Sequence, residues 1–300
     1  MSEVSAQQRA ESFGRVADVY DRARPTYPRD AVDWLVGRSP ATVLELGAGT
    51  GKLTEVLHAA GHDVVATDPS PQMLARLARR VPVPYAVARA EEVPLPSRSA
   101  DVVVCGQSFH WFGHDQALAE IGRVLRPGGR LALVWNAFDD SIPWVRRLHR
   151  LLNPTSGTSG DAADALMHSP YFGFVERQTF RVWQHHTAAT LDDLARSTSH
   201  VATLADDARD ETLGRVRALY DDYGRGPDGM KVPYLSECFR AVVRPEELPP
   251  EVPPGPPRTQ ATPQTGPPDG EDAAAEGEDT APVAGRRPPE DPGFQLIDFR

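Results

Sequence analysis

The run Val43-Leu44-Glu45-Leu46-Gly47-Ala48-Gly49-Thr50-Gly51 joins apolar residues to three glycines spaced two apart. Glycines at that spacing let the backbone turn tightly and let a ligand lie against the main chain with no Cβ between them. Such a loop suits a nucleoside-containing cofactor; the plainer alternative is a glycine-rich turn from strand to helix. A dinucleotide fingerprint would set its third glycine at position 52, at the helix start where pyrophosphate sits, and here that residue is Lys52. Glu45, placed before the glycines, brings a carboxylate to the strand end, which suits a cationic ligand portion and repels a diphosphate. Asp68 follows at about the 20-residue spacing at which an acidic side chain accepts hydrogen bonds from both ribose hydroxyls. It also suits the N-cap of a following helix.

Two further constellations have chemical potential. His110-Trp111 follows a β-rich run, so an imidazole there can reach a ligand at the edge of a parallel sheet, as a base or as a substrate orienter. A packed His-Trp pair is the equally good alternative. Tyr20 and Arg24 lie four apart at the end of an amphipathic pattern and share a helix face, where the guanidinium can grip a carboxylate; as core tyrosine and surface cation they need no such role. His185-His186 and Asp192-Asp193 have no metal-ligand spacing and read as surface. Cys105 and Cys238 are the two cysteines, too few for a disulfide framework or a zinc site, so both are read as reduced and no metal is expected.

These residues must be held by a fold. From position 42 to 135, apolar β-branched runs alternate with helical patterns in strand–helix order, which predicts a mostly parallel sheet covered by helices on both faces. The strands fall at 42–46, 63–67, 83–88, 101–105 and 130–135, with a Pro-Gly-Gly turn at 127–129. Earlier, 13–20 and 28–36 read as helices. Beyond 136 come a helix with Trp144 and Leu152, a Gly/Ser/Thr-rich loop at 155–160, a strand at 174–187, helices at 191–204 and 210–223, and a strand at 232–243. Two late strands complete a doubly wound, Rossmann-like α/β sheet of seven strands, and 138–225 adds a helical cover with Trp144, Tyr171, Phe172 and Phe174 as pocket candidates.

Composition sets the limits. The 300 residues carry a net charge of −10. From Pro245 to Arg300, twelve acidic residues face four arginines in a stretch crowded with proline, so −8 of that charge lies there. Such a stretch cannot bury enough apolar surface to offset its ordering entropy, which predicts a folded domain at 1–244 and a disordered tail at 245–300, whose protein partner the sequence does not name. No apolar run is long enough for a membrane span or a secretory signal, so no membrane association and a cytoplasmic location are expected. Nor does a basic stripe suggest nucleic acid.

Taken in order, Glu45-Leu-Gly-Ala-Gly-Thr-Gly51, Asp68-Pro-Ser-Pro-Gln-Met-Leu74, Ala90-Glu-Glu-Val-Pro-Leu-Pro96, Asp101 to Phe112 and Arg123-Val-Leu-Arg-Pro-Gly-Gly129 resemble the class I S-adenosylmethionine-dependent methyltransferases, in particular the small-molecule, trans-aconitate-methyltransferase-like group. The residues Phe13, Tyr20, Asp21, Arg24, Pro25, Tyr27 and Pro28 are similar to that group as well. The resemblance covers about residues 10–243 and implies S-adenosyl-L-methionine as cofactor and a small-molecule methyl acceptor. It implies that Gly47, Ala48 and Gly49 pass their backbone beside the methionyl part and ribose, and that Glu45 supports the loop or the cofactor's ammonium group. Asp68 would hold the ribose, Pro69 the adenine face, Ala90 and Glu91 the adenine edge, and Gln107 the methionyl group. His110, Tyr20 and Arg24 are the catalytic candidates. Arg89 and Gly113 stand where many relatives carry an aspartate. A non-catalytic binding module and a nicotinamide-dependent oxidoreductase are the competing functions, the latter disfavoured by Lys52.

Overall fold

The computed structural model describes residues 25–153, 160–224 and 229–248. Tyr20, Arg24, the helix expected at 13–20 and the tail beyond 248 lie outside the described residues. The elements run α1 (Arg29–Val36), β1 (Thr42–Leu46), α2 (Lys52–Ala59), β2 (Asp63–Asp68), α3 (Pro71–Arg80), β3 (Tyr85–Val87) and β4 (Ala100–Gly106). A 3₁₀ turn (Phe109–Trp111) leads to α4 (His114–Val124), β5 (Leu125–Phe138), α5 (Pro143–Leu152), α6 (Gly160–Met167) and β6 (Glu176–His186). Then come α7 (Ala188–Arg196), α8 (Ser199–Ala202), α9 (Asp206–Tyr223), β7 (Met230–Val242) and a 3₁₀ turn at Pro245–Glu247.

The seven strands form one sheet in the order β3-β2-β1-β4-β5-β7-β6. Pairings from β3 through β5 are parallel, and β7 is antiparallel to both neighbours. The near-continuous apolar strands have a simple cause: side chains alternate between two covered faces. Leu44, Leu46, Val103, Cys105, Leu131 and Leu133 enter the core under α4. Val43, Val102, Val104, Ala132 and Val134 enter the opposite core, under α1, α2 and α3. A third apolar cluster, with Phe138, Leu148, Leu191, Leu213, Val216 and Tyr234, lies between α5, the helices α7 to α9 and the ends of β5 and β7. The expected cover therefore has two sources, α5 after β5 and the insertion α7–α9 between β6 and β7.

Several expectations shift. Pro127-Gly128-Gly129 does not separate a helix from its strand: Ala100 pairs with Leu125 and Val102 with Arg130, so residues 126–129 bulge from one long β5. Gly128 takes φ +79°, and a Cβ on Gly129 would lie 2.8 Å from the Arg126 carbonyl and 2.9 Å from that of Asp101. The helix expected over 191–204 breaks in two because Ser197 and Thr198 donate their hydroxyls to the Leu194 and Ala195 carbonyls, which competes with the helical ladder. Leu248 packs on the α4-side core, past the limit at 244 read from composition. Phe172 is core and Tyr171 packs against it, while Phe174 is 85% exposed.

Candidate functional site

Strand order reverses between β1 and β4: from β1 the chain winds outward through β2 and β3, and from β4 through β5. In an open α/β sheet the crevice at the carboxyl ends of two such strands is where ligands bind. The loops after β1 and β4 meet there. A Cβ on Gly47, whose φ is +67°, would come within 2.5 Å of Ser108 Cβ and 2.8 Å of its Oγ. Ser108 in turn donates its hydroxyl to the Leu46 carbonyl at 2.7 Å and is buried. Glycine at 47 is thus required both by backbone conformation and by the serine pressed against it.

Gly49 differs. Its φ is +58°, yet no atom of the described residues lies within 4 Å of the position its Cβ would take. Its N–H donates to Asp68 Oδ2 at 2.9 Å, while Asp68 Oδ1 accepts from the Ser70 N–H at 2.8 Å. Asp68 is buried, and its carboxyl is shifted upward by burial against the opposing pull of those two N–H donors. A carboxylate has about four lone-pair sites, so each oxygen retains one for an incoming hydroxyl. The N-cap of α3 is Ser70, whose side chain accepts from the Met73 N–H with Pro71 in the first turn; Asp68 is not itself the cap. Gly51, the N-cap of α2, has φ +83°, and a Cβ there would strike Leu77 Cγ at 2.8 Å.

Glu45 departs from the position expected of it. Sheet alternation sends its side chain to the same face as Val43, under α2. There it is 1% exposed and accepts a hydrogen bond from Thr54 Oγ1 at 2.6 Å. Burial, opposed by Thr54 and reinforced by the charge of Asp68, pushes its carboxyl up to about 8. At neutral pH it is mostly a neutral acid clamping β1 to α2, so it presents no full negative charge to the crevice.

The far wall is built by 89–113. Ala90 is buried within a turn closed by the Arg89–Glu92 bridge. Glu91 accepts from the Gly113 N–H at 2.7 Å and from Arg89 Nε at 3.3 Å. Burial raises the Glu91 carboxyl, but these donors prevail and hold it below its ordinary value. Arg123 fixes the same loop from beneath, donating to the Leu95 carbonyl at 2.9 Å and to Glu120 Oε1 at 2.8 Å, while that oxygen accepts from the Val93 N–H. Pro69 is exposed beside Asp68.

Comparison with known proteins now bears on this crevice. A family described as methyltransferase domain matches residues 44–133, which hold β1 through most of β5. An uncharacterised methyltransferase of Mycobacterium tuberculosis is 41% identical over 236 residues, covering 77% of this chain and 96% of its own length. The chain is a class I S-adenosylmethionine-dependent methyltransferase. A malonyl-[acyl-carrier protein] O-methyltransferase of Enterobacter lignolyticus is 36% identical over 51% of this chain and 62% of its own. Among solved structures, a putative type II methyltransferase from Anaeromyxobacter dehalogenans superposes with a TM-score of 0.54 at 27% identity, covering 75% of this chain and 99% of that one. The methyl donor is S-adenosylmethionine, and the site fits it: the space beside Gly49 adjoins a carboxylate with acceptor capacity left.

In this methyltransferase the loop after β4 carries the catalytic candidate. Gln107 holds φ +58°, uncommon for a residue with a side chain, and donates its N–H to the Val134 carbonyl at 2.9 Å. His110 is exposed in the 3₁₀ turn, its ring 4.6 Å from that of Trp111. Desolvation by neighbouring atoms, with a smaller push from His114, lowers its pKa, so the neutral imidazole prevails at pH 7. The turn is fastened by His114, whose ring stacks on Phe109 at 4.8 Å and whose Nε2 lies 3.2 Å from the Phe109 carbonyl.

The N-terminal approach was legible only in part. Asn136 Nδ2 donates to the Thr26 carbonyl at 3.2 Å, and Ser236 Oγ donates to Asn136 Oδ1 at 2.5 Å. Tyr27 is buried, and its hydroxyl lies 2.9 Å from where a Gly106 Cβ would sit. The methyltransferase thus ties its 26–27 segment to the ends of β4 and β5. Sequence reasoning missed Ser108, Thr54, Asn136 and Ser236. A lone Asn and Ser on apolar strands were the available signal, since buried polar side chains need partners. His186, read as surface, is buried, and burial foremost drives its pKa down to about 4. Among the described residues no group of His, Cys, Asp and Glu side chains is arranged to hold a metal, and no helix is long and apolar enough to cross a membrane.

Proposed function

We propose that this methyltransferase transfers a methyl group to a small-molecule acceptor held between the Gly47–Gly49 loop, the 107–111 turn and the helical cover. S-adenosylmethionine supplies an electrophilic methyl on a sulfonium that is already a good leaving group. The protein's task is then to align the acceptor atom, an effect worth roughly 7–11 kcal/mol when geometry is good. In this reading Asp68 takes the ribose hydroxyls, Gly47, Ala48 and Gly49 give main-chain contacts, Pro69, Ala90 and Glu91 border the adenine, and Gln107 borders the methionyl end. Glu45 acts from beneath, by holding α2. His110, neutral and exposed beside Trp111, accepts a proton from the acceptor or orients it; Tyr20 and Arg24 approach from the N-terminal side.

The observation that carries the assignment is the open space beside Gly49 next to Asp68. A small acceptor is supported by the insertion α7–α9, which adds a water-excluding cover over the carboxyl edge. The acidic, proline-rich stretch after the folded body lies outside the catalytic reading. Two buried free thiols, Cys105 and Cys238, suit a reducing cytoplasm.

The test uses a trideuteromethyl donor. Purified protein is incubated with labelled S-adenosylmethionine and a metabolite extract, and mass spectrometry asks which compound gains the labelled methyl. Labelling of a small molecule, abolished by Asp68→Ala, is the expected result. S-adenosylhomocysteine binding by calorimetry with no labelled small molecule would refute the acceptor class, and absence of that binding would refute the site.

A further inference from the structure

Outside the crevice, α5 packs against α9, and the groove between them collects four guanidinium groups. Arg146, Arg147 and Arg150 of α5 and Arg215 of α9 line a cavity of about 350 Å³ together with His200 and Thr212. Among the described residues no carboxylate lines the cavity, and the cavity shares none of its lining with the cofactor crevice.

The three arginines of α5 crowd one another. Arg146 and Arg150 are four apart, and Arg147 and Arg150 three apart, spacings at which like charges on a helix repel. Arg146 also sits toward the helix N-terminus, where the macrodipole disfavours a cation. Carboxylates are plentiful in a chain with 42 acidic and 32 basic residues, and other arginines take them. Arg29, Arg123, Arg126 and Arg240 each hold one, and Arg217, two residues beyond Arg215, holds Asp192. Among the described residues, none of the four groove guanidinium groups is in an ion pair or a side-chain hydrogen bond.

An anion would convert this repulsion into attraction. Guanidinium forks match the tetrahedral oxygens of phosphate in pairs, and a dianion engages several of them at once where a carboxylate satisfies one fork. The Thr212 hydroxyl and the His200 ring add polar groups to the same wall. The volume is at the lower end for small-molecule pockets and exceeds a bare phosphate, so it leaves room for an organic body. We infer that the groove between α5 and α9 is a binding site for a phosphate monoester, built into the cover and separate from the cofactor site.

Calorimetric titration of the full chain in low-salt buffer with glycerol 3-phosphate, inorganic phosphate and acetate tests this. The expected result is saturable one-site binding of glycerol 3-phosphate, at least about tenfold tighter than acetate and weakened by a similar factor in the Arg147→Gln/Arg215→Gln double variant. An Arg79→Gln change, on exposed α3 surface, should leave it unchanged. S-adenosylhomocysteine titrated into each protein reports folding and the cofactor site, so a failed phosphate arm leaves the methyl-transfer reading standing. No saturation at millimolar probe, or binding untouched by the double variant, would overturn the site. Tighter binding of inorganic phosphate than of the ester would overturn the choice of ester.

Discussion

Gly47 and Gly49 are two residues apart, both left-handed, and differ in what surrounds them, which separates folding from binding. Alanine at either position pays roughly 1–2 kcal/mol for holding an L-residue at positive φ. At Gly49 the new methyl meets none of the described residues within 4 Å, so Gly49→Ala should cost about 1–2 kcal/mol of stability and no more. At Gly47 it would lie 2.5 Å from Ser108 Cβ. Relief requires moving a buried serine bonded to the Leu46 carbonyl at 2.7 Å, an overpacking cost of about 1–3 kcal/mol. Gly47→Ala should therefore lose roughly 2–5 kcal/mol. Binding reverses the order: a methyl in the space assigned to the cofactor should weaken S-adenosylhomocysteine by about 10- to 100-fold in Gly49→Ala, although that protein is the better folded. Urea unfolding of the apo proteins and calorimetric titration of the product measure the two effects. If Gly49→Ala binds like the parent, the open space is not the ligand's and the site is misplaced; equal stability of the two variants would refute the Ser108 argument.

Other outcomes follow from the same geometry. Asp68→Asn should reduce S-adenosylhomocysteine affinity by about 10- to 100-fold, since hydrogen bonds to a charged group are worth about 1.5–3 kcal/mol, and titration calorimetry reads it. Glu45 has a folded pKa of about 8 against an ordinary 4.5. The folded state therefore keeps a proton that the unfolded chain has released, and the contribution, complete below 4.5, is lost as pH rises to 8 at about 1.4 kcal/mol per unit. Urea unfolding from pH 5 to 8 should show this slope in the parent and its absence in Glu45→Gln. Once an acceptor is known, kcat should rise with pH through a pKa below 6.5 if His110 takes the proton, and His110→Gln should remove that limb; an unchanged profile would reduce His110 to shaping the pocket. Arg123→Met should free the 93–97 loop from α4, seen as faster amide exchange at Val93 and Leu95.

The parallel half of the fold was legible because its strands are apolar on both sides and its breaks fall at glycine and proline. What the sequence hides is direction and partnership. Glu45 was read as near the crevice from its place at a strand end, but only the register with β2 and β4 fixes which face it takes, and that face is the one under α2. Pro127-Gly128-Gly129 has the composition of a turn; its role as a bulge depends on Ala100 pairing across to Leu125, a long-range fact. Helix α6 (Gly160–Met167) was not anticipated, being short and following a loop-like run. His186 has no neighbour in sequence to signal burial. Of the crevice, Gly47, Gly49 and Asp68 were readable from spacing, whereas Ser108 was not, because its significance lies in pressing on a glycine 61 positions earlier.

The arrangement divides the labour of the enzyme along the sheet. The loops after β1, β2 and β4, with their bonds from the Gly49 N–H to Asp68 and from the Ser108 hydroxyl to the Leu46 carbonyl, are fixed by strands paired in parallel register. The cover instead rests on the ends of β5 and β7 through Phe138, Leu213 and Tyr234, and its larger part, α7–α9, enters the fold as the connection between the antiparallel edge strand β6 and its neighbour β7. A connection there can vary in length and surface without altering a single hydrogen bond of the cofactor loops. On the proposed reading the cover can therefore vary without disturbing the donor loops, and the acceptor is bordered by residues of both halves, the 107–111 turn from the first and the cover from the second.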